Sequence, residues 1–401
     1  MPKDSQFSHD VVVIGGCGHV GLPLAIAFAD RGLSVLVYDV SKAAVDLVND
    51  AVLPFDERGA AEPLKAAVAA GTLRASTDPS VVGDARNVVV VIGTPVDEHL
   101  NPDPQAIPRA LEECIPHLVG GQLLVLRSTV FPGVTRLVER TLRERGLDIE
   151  VSFCPERIAE GKAMTELFDL PQIVSGRDQG TRDRAAQLFR TLTDTIVELE
   201  PEEAELAKLF TNTWRYIKFA AVNQFYMIAD SQGLDFERIR TGLAQDYPRA
   251  ADMPAAGFAA GPCLFKDTMQ LAAFNDNNFA LGHAAMLVNE GLPLYVVSQL
   301  ADKYNLAEMT VGILGASFKA GSDDIRSSLA YKIKRIMGFK ARRVLMTDPY
   351  VTVDPNLVPL AQVLDEADII IVATPHPEYR SVTTDKPVAD VWNVLGKDVT
   401  A

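Results

Sequence analysis

The sequence predicts an α/β protein: two Rossmann-like, doubly wound domains joined by a long central helix and a helical segment. Three observations carry this. From Val11 to about residue 200, short β-branched runs alternate with Ala- and Leu-rich stretches; over residues 201–300 helical periodicity takes over with few breakers; the βαβ period then returns. The expected domains are residues 1–200, 201–304 and 305–401.

Taken in order, VVVIG (11–15), LSVLVYD (33–39), VVVVIG (88–93), LLVLRST (123–129) and VSFCP (151–155) read as buried strands of a parallel sheet. PEEAELAKLFTNTWRYIKFAAVNQFYMIADSQG opens with Pro201 and acids at the positive end of a helix and stops at Gly233. A helix of this length suits a domain connector with a face for a second subunit, so a homodimer through it is expected. MTVGILGASFK (309–319), RVLMTDP (343–349) and ADIIIVATP (367–375) supply the strands of the last domain.

Composition sets the outer limits. At 401 residues the chain exceeds what one core usually organises. A net charge of −15 argues against nucleic-acid or anionic-membrane partners, which need a broad basic surface. MPKDSQFSHD lacks the layout of a secretion signal, and no apolar run reaches the roughly 18 residues that span a bilayer, so a cytoplasmic protein is expected. Cys17, Cys114, Cys154 and Cys263 are too few and too scattered for a disulfide framework or a metal site. Each is a buried small residue or a reactive thiol.

GGCGHVG (15–21) follows the first strand and precedes a helix, with Gly16, Gly18 and Gly21 in GxGxxG spacing. Gly16 permits the turn, Gly18 lets backbone approach a pyrophosphate, and Gly21 lets helix and strand pack. The intervening Cys17, His19 and Val20 present their backbone to the same ligand. Asp39 ends the second strand, where an acid receives ribose hydroxyls and repels a 2′-phosphate, so NAD is the expected cofactor.

Elsewhere, chemistry-bearing residues gather in a few stretches. AGPCLFKD (260–267) brings Cys263, Lys266 and Asp267 together; Lys208 and Asn212 share one helix face at i and i+4; CPERIAEG (154–161) supplies Glu156 and Glu160 at the end of the VSFCP strand. GILGASFK places Lys319 just after a strand, where a cation suits a diphosphate.

GGCGHVGLP, STVFPGVT (128–135), PERIAEG, AELAKLFTNT (204–213), CLFKD and GASFKAGSDDIRSS together resemble, in order and spacing, the UDP-glucose/GDP-mannose dehydrogenase family over nearly the whole chain. The resemblance implies an NAD-dependent nucleotide-sugar 6-dehydrogenase that oxidises a C6 alcohol to a carboxylate. It implies Cys263 as nucleophile, passing through a thiohemiacetal and a thioester. Lys208 matches the lysine that stabilises oxyanions, Asn212 its partner, and Asp267 the acid that orients water with Thr129. Glu156 matches the residue that helps activate water, and Glu160 a second acid lining the site. Arg249 corresponds to the arginine that reaches a neighbouring subunit's sugar site, and Lys319 to a binder of UDP phosphates. Thr94, Thr129 and Arg326 complete the implied cofactor contacts.

The chain departs from the family at Ala260, Gly261 and Pro262, in place of the usual glycine pair, and at VADVWNVLG (388–396), where an arginine is usual. PERIAEG resembles the UDP-N-acetylhexosamine branch and CLFKD the UDP-glucose branch; the expectation taken forward is the former. Two other readings are a single-step β-hydroxyacid-type dehydrogenase, which leaves Cys263 and the last domain without a role, and a catalytically silent nucleotide-binding homologue.

Overall fold

A computed structural model gives the structure, which describes residues 6–94, 97 and 102–396. Two compact units, Met1–Phe210 and Thr211–Ala401, divide the chain inside the long helix.

In the first unit, β1 (His9–Ile14), β2 (Val35–Tyr38), β3 (Leu73–Ser76), β4 (Ala85–Val90), β5 (Leu123–Leu126) and β6 (Glu150–Phe153) form one parallel sheet. The order β3-β2-β1-β4-β5-β6 reverses direction between β1 and β4, and that switch point is where such sheets take ligands. Apolar side chains fill both faces: Val11, Val13 and Val37 lie in one core, Val12, Ile14 and Leu36 in the other. This is why the strands read as continuous apolar runs. A parallel pair, β7 (Gln172–Ser175) and β8 (Ile196–Leu199), closes the unit. Neither this pair nor β3, whose LRAS carries no β-branched residue, was legible as strand.

The long helix Pro201–Ser231 begins as the sequence implies, with Pro201 first and Glu202 and Glu203 in its first turn. Just beyond it Gly233 takes the left-handed conformation (φ 67°) that ends many helices.

The second unit holds helices Phe236–Ala244, Leu264–Phe274 and Ala280–Lys303, then a parallel sheet of β9 (Thr310–Leu314), β10 (Arg343–Thr347), β11 (Ile369–Val372) and β12 (Val388–Ala389), ordered β10-β9-β11-β12. Val222 and Tyr226 of the long helix, Val296 and Leu300 of the 280–303 helix, and Val311, Ile313 and Ile371 of the sheet share one core. The expected division at residue 304 therefore runs through a continuous apolar interior. Among the described residues, no helix is long and apolar enough to cross a membrane.

Candidate active site

The Gly-rich turn after β1 has the shape its spacing requires. A Cβ on Gly16 would fall 2.7 Å from the Val13 carbonyl oxygen, and one on Gly21 2.6 Å from the Gly16 Cα, so both glycines are demanded by the fold. Gly18 differs. A Cβ there would meet nothing nearer than 3.8 Å, and the residue is exposed. The open space over Gly18 leaves room for a pyrophosphate to be laid against the loop and the N-terminus of the helix Gly21–Asp30. His19 stacks on Phe55 at 4.0 Å, and Val20 is the residue before that helix. Asp39 accepts the Cys17 and Ser41 amides, one on each oxygen, both at 3.0 Å. At the far side of the switch point, the Thr94 hydroxyl donates to the Thr129 carbonyl at 2.5 Å and the Ile92 amide to the Ser128 hydroxyl at 2.8 Å, joining the ends of β4 and β5.

All four cysteines are described, and three are buried. Burial pushes the Cys17 thiol up to about 12, with Asp39 adding to it, and burial pushes Cys114 and Cys154 up to about 11. These stay protonated. Cys263 is exposed and forms the N-cap of the helix Leu264–Phe274.

Asp267, one turn into that helix, is fully buried. Its Oδ2 accepts from Asn212 Nδ2 at 2.5 Å. Its Oδ1 has no hydrogen-bond partner in the structure, and the Lys266 ammonium lies 3.5 Å away. A buried carboxylate oxygen without a donor is costly unless a water or hydroxyl completes it. Lys208 stands one turn before Asn212 on the long helix.

The loop after β6 is held by carboxylates. Glu156 Oε2 takes Arg127 Nε at 2.9 Å and Nη2 at 2.6 Å; Oε1 takes the amides of Arg157 and Ile158 at 2.7 and 3.0 Å. Four donors saturate the roughly four lone-pair sites of a carboxylate. Glu57 accepts the Gly161 and Ala163 amides, both at 3.0 Å, and Glu166 the Ala159 amide at 2.6 Å. Glu160 lies partly buried on this frame. Arg127 is fully buried, also bonds the Cys154 carbonyl and Gln172, and lies over the Phe189 ring. Removing either partner of this pair strands a buried charge, a loss of about 3–5 kcal/mol.

Glu205, three residues before Lys208, is fully buried and caps the helix Val134–Glu144. It accepts the Gly133 amide at 2.6 Å and the Thr135 amide and hydroxyl at 2.8 and 2.6 Å. Burial raises its pKa against those bonds.

The segment leading to Cys263 is anchored within the second unit. Asn223 of the long helix donates to the Gly257 carbonyl and accepts its amide, both at 2.9 Å, and bonds Asn289, which donates to the Tyr216 carbonyl. Trp392 of VADVWNVLG packs where a Gly257 side chain would be. Gly261 adopts φ 102° against the Phe318 ring, and its amide donates to the Ser327 carbonyl. The altered residues before Cys263 thus form a defined turn.

Lys319 lies on the loop after β9 with its ammonium 5.6 Å from the Phe318 ring centroid. Arg326 pairs with Asp324 at 2.5 Å, and Arg249 is exposed with Nη1 3.2 Å from the Tyr247 hydroxyl. Among the described residues, no cluster of His, Cys, Asp or Glu could hold a metal ion. Sequence reasoning missed Arg127, Glu57, Glu205, Asn223 and His376. For Arg127 alone there was a local signal: a charge directly after the apolar LLVL.

Comparison with known proteins decides the family. Residues 9–193 match the NAD binding domain of the UDP-glucose/GDP-mannose dehydrogenase family, 202–291 its central domain and 312–397 its UDP binding domain. The chain belongs to that family. It is an NAD-dependent oxidoreductase with NAD as cofactor. It is 29% identical to a UDP-N-acetyl-D-mannosamine dehydrogenase of Pyrococcus horikoshii, over 97% of this chain and 93% of that one. The structure of the UDP-D-ManNAc dehydrogenase from P. horikoshii superposes with a TM-score of 0.87 at 28% identity, covering 93% of this chain and 91% of that one. A UDP-glucose dehydrogenase from Pyrobaculum islandicum gives 0.89 at 26%, covering 97% and 95%.

Proposed function

We propose that this dehydrogenase oxidises the C6 alcohol of a UDP-N-acetylhexosamine to the uronic acid in two steps with Cys263 as covalent nucleophile. The observation that carries the reading is that Cys263 is the exposed cysteine, at a helix N-terminus, while burial keeps the other three as thiols. The substrate class rests on the relatives named UDP-N-acetyl-D-mannosamine dehydrogenase and on the PERIAEG motif.

NAD would be held by the Gly16–Gly21 turn, with Asp39 toward its ribose and further contacts from Thr94, Thr129 and Arg326, and would supply the hydride acceptor for both oxidation steps. In the first step the hydroxyl proton leaves as the C6–H bond breaks, giving an aldehyde. The Cys263 sulfur then bonds to that carbon, forming a thiohemiacetal whose oxyanion Lys208 and Asn212 stabilise. Loss of the second hydride leaves a thioester. Water attacks it, breaks the C–S bond and returns the thiolate. Asp267 Oδ1, buried and without a donor, is suited to hold that water with Thr129. Glu156 has no acceptor capacity left, so its part is to shape the loop that presents Glu160 to the sugar. Lys319 takes the diphosphate.

The test is stoichiometry. Wild type should form two NADH per UDP-sugar, and Cys263→Ser should lose acid formation with NAD affinity nearly unchanged. One NADH with an aldehyde or ketone product, or full acid formation by the variant, would refute the thioester route.

The second subunit belongs to the same proposal. Phe210, Trp214, Phe225 and Ile228 stand exposed along the long helix, as do Leu287 and Leu294 on the 280–303 helix. An apolar face of this extent suits a second copy of the chain, whose sugar site Arg249 would reach. Light scattering should give a dimer, and a monomeric wild type would remove this part.

A further inference from the structure

The loop that carries Lys319 is built around a buried histidine. After β9 the chain turns at Gly315, φ 97°, so tightly that a Cβ would fall 2.3 Å from Thr374 Cβ. Asp348 Oδ2 then accepts the amides of Ala316 and Ser317 at 2.7 and 3.0 Å, and the Thr374 hydroxyl donates to the Ser317 carbonyl at 2.6 Å. The Ser317 hydroxyl donates to the Lys319 carbonyl at 2.9 Å. Beyond Lys319, the Gly321 amide lies 3.2 Å from His376 Nδ1.

His376 is fully buried, and its neighbours decide its tautomer. An amide can only donate, so Nδ1 is the acceptor and the proton sits on Nε2. Nε2 lies 3.0 Å from Asp348 Oδ2 and 3.2 Å from Ser317 Oγ. Serine, histidine and aspartate together suggest a hydrolytic triad, but a triad needs the acid on one ring nitrogen and the serine on the other. Here both meet Nε2, while Nδ1 is spent on backbone. The cluster holds a loop and has no nucleophile to activate.

Asp348 and Ser317 fix the entrance of the loop, and His376 Nδ1 fixes its exit two residues past Lys319. We propose that His376 is the positioning residue of the diphosphate site: by joining Asp348 to the Gly321 amide it holds the Lys319 backbone where its ammonium meets the substrate's phosphates. This rests on the nucleotide-sugar reading given above. The role runs through one bond, Gly321 N–H to Nδ1.

Two conservative variants separate the bonds. The side-chain oxygen of asparagine can replace Nδ1 as acceptor for Gly321, whereas the amide of glutamine reaches the place of Nε2 and restores the bond to Asp348. Binding of UDP and of NAD to the full chain is measured by calorimetry, and steady-state kinetics with the UDP-sugar in parallel. The expected result is a rise in UDP Kd of about tenfold or more in His376→Ala and His376→Gln, with His376→Asn within about threefold of wild type. KM for the UDP-sugar should follow UDP Kd, with kcat and NAD affinity nearly unchanged. Undiminished UDP binding by His376→Ala, or NAD affinity falling in step with UDP affinity, would overturn the inference. So would equal rescue by glutamine and asparagine. Failure of the wild type to bind UDP would instead overturn the nucleotide-sugar reading, and the inference with it.

Discussion

Asp39 closes β2 in the first unit and Asp348 closes the corresponding β10 in the second. Both accept amides from the turn after the first strand of their sheet, yet the two carboxylates are used differently. Asp39 is partly exposed and carries one amide on each oxygen, leaving acceptor capacity beside the Gly-rich turn. Asp348 is fully enclosed: Oδ2 takes Ala316, Ser317 and His376, and Oδ1 takes the Tyr350 and Val351 amides at 2.8 and 3.0 Å. One aspartate keeps an open edge; the other has become part of the scaffold. An acid at the end of the second strand therefore does not by itself mark a ribose site. What distinguishes them is His376, which follows β11 and covers Asp348.

The strongest way to break this comparison is to remove both acids in turn. Asp348→Ala should lower unfolding free energy in urea by about 3–5 kcal/mol, because it strands several buried donors. Asp39→Ala should cost about 1 kcal/mol or less while weakening NAD binding. Equal losses would show that the two carboxylates do the same work.

Acid should sharpen the contrast next. Burial pushes the Asp348 carboxyl up, but the bonds from His376 and the Ala316 and Ser317 amides outweigh it and hold the group at about 2. A carboxyl held below its unfolded value stabilises the fold above the unfolded pKa, near 4, and loses that contribution as pH falls through the folded one. Stability should drop by about 2 kcal/mol between pH 4 and 2, and Asp348→Asn should lack this component. In the first unit, hydrogen bonds from Arg177, and then from Arg136, bring Glu202 to about 2 against burial, but this pair is part-exposed and screened, so its share is smaller.

The smallest effect concerns the glycines. Gly18→Ala should change stability by less than about 0.5 kcal/mol yet weaken NAD binding, since its Cβ projects outward. Gly21→Ala, whose Cβ would strike Gly16, should destabilise the unit itself. Comparable stability losses would remove the argument that Gly18 is reserved for the ligand.

What the sequence made legible was local. The Gly-rich turn and the long helix declare themselves within a few residues, because turn geometry and helix ends act over short spans. β3 and β12 were not legible, since LRAS and Val388–Ala389 owe their strand state to the sheet beside them. The supporting residues were hidden for a different reason. Glu57 acts 104 positions away on Gly161, Glu205 70 positions away on Thr135, and His376 55 positions away on Gly321. No periodicity connects such pairs; only the folded chain does. Glu156 illustrates the gap: its motif marks it as an active-site acid, and only the folded chain shows Arg127 and two amides held on its carboxylate.

The bracket around Gly257 carries a consequence for the dynamics of the segment leading to Cys263. Gly257 lies in no strand or helix, yet Asn223 engages both its amide and its carbonyl beneath Trp392. Its amide proton should therefore exchange with deuterium as slowly as those of the neighbouring core, opening only with the unit as a whole. That one resonance can be followed through turnover, and it reports whether the chain leading to Cys263 stays seated during the reaction.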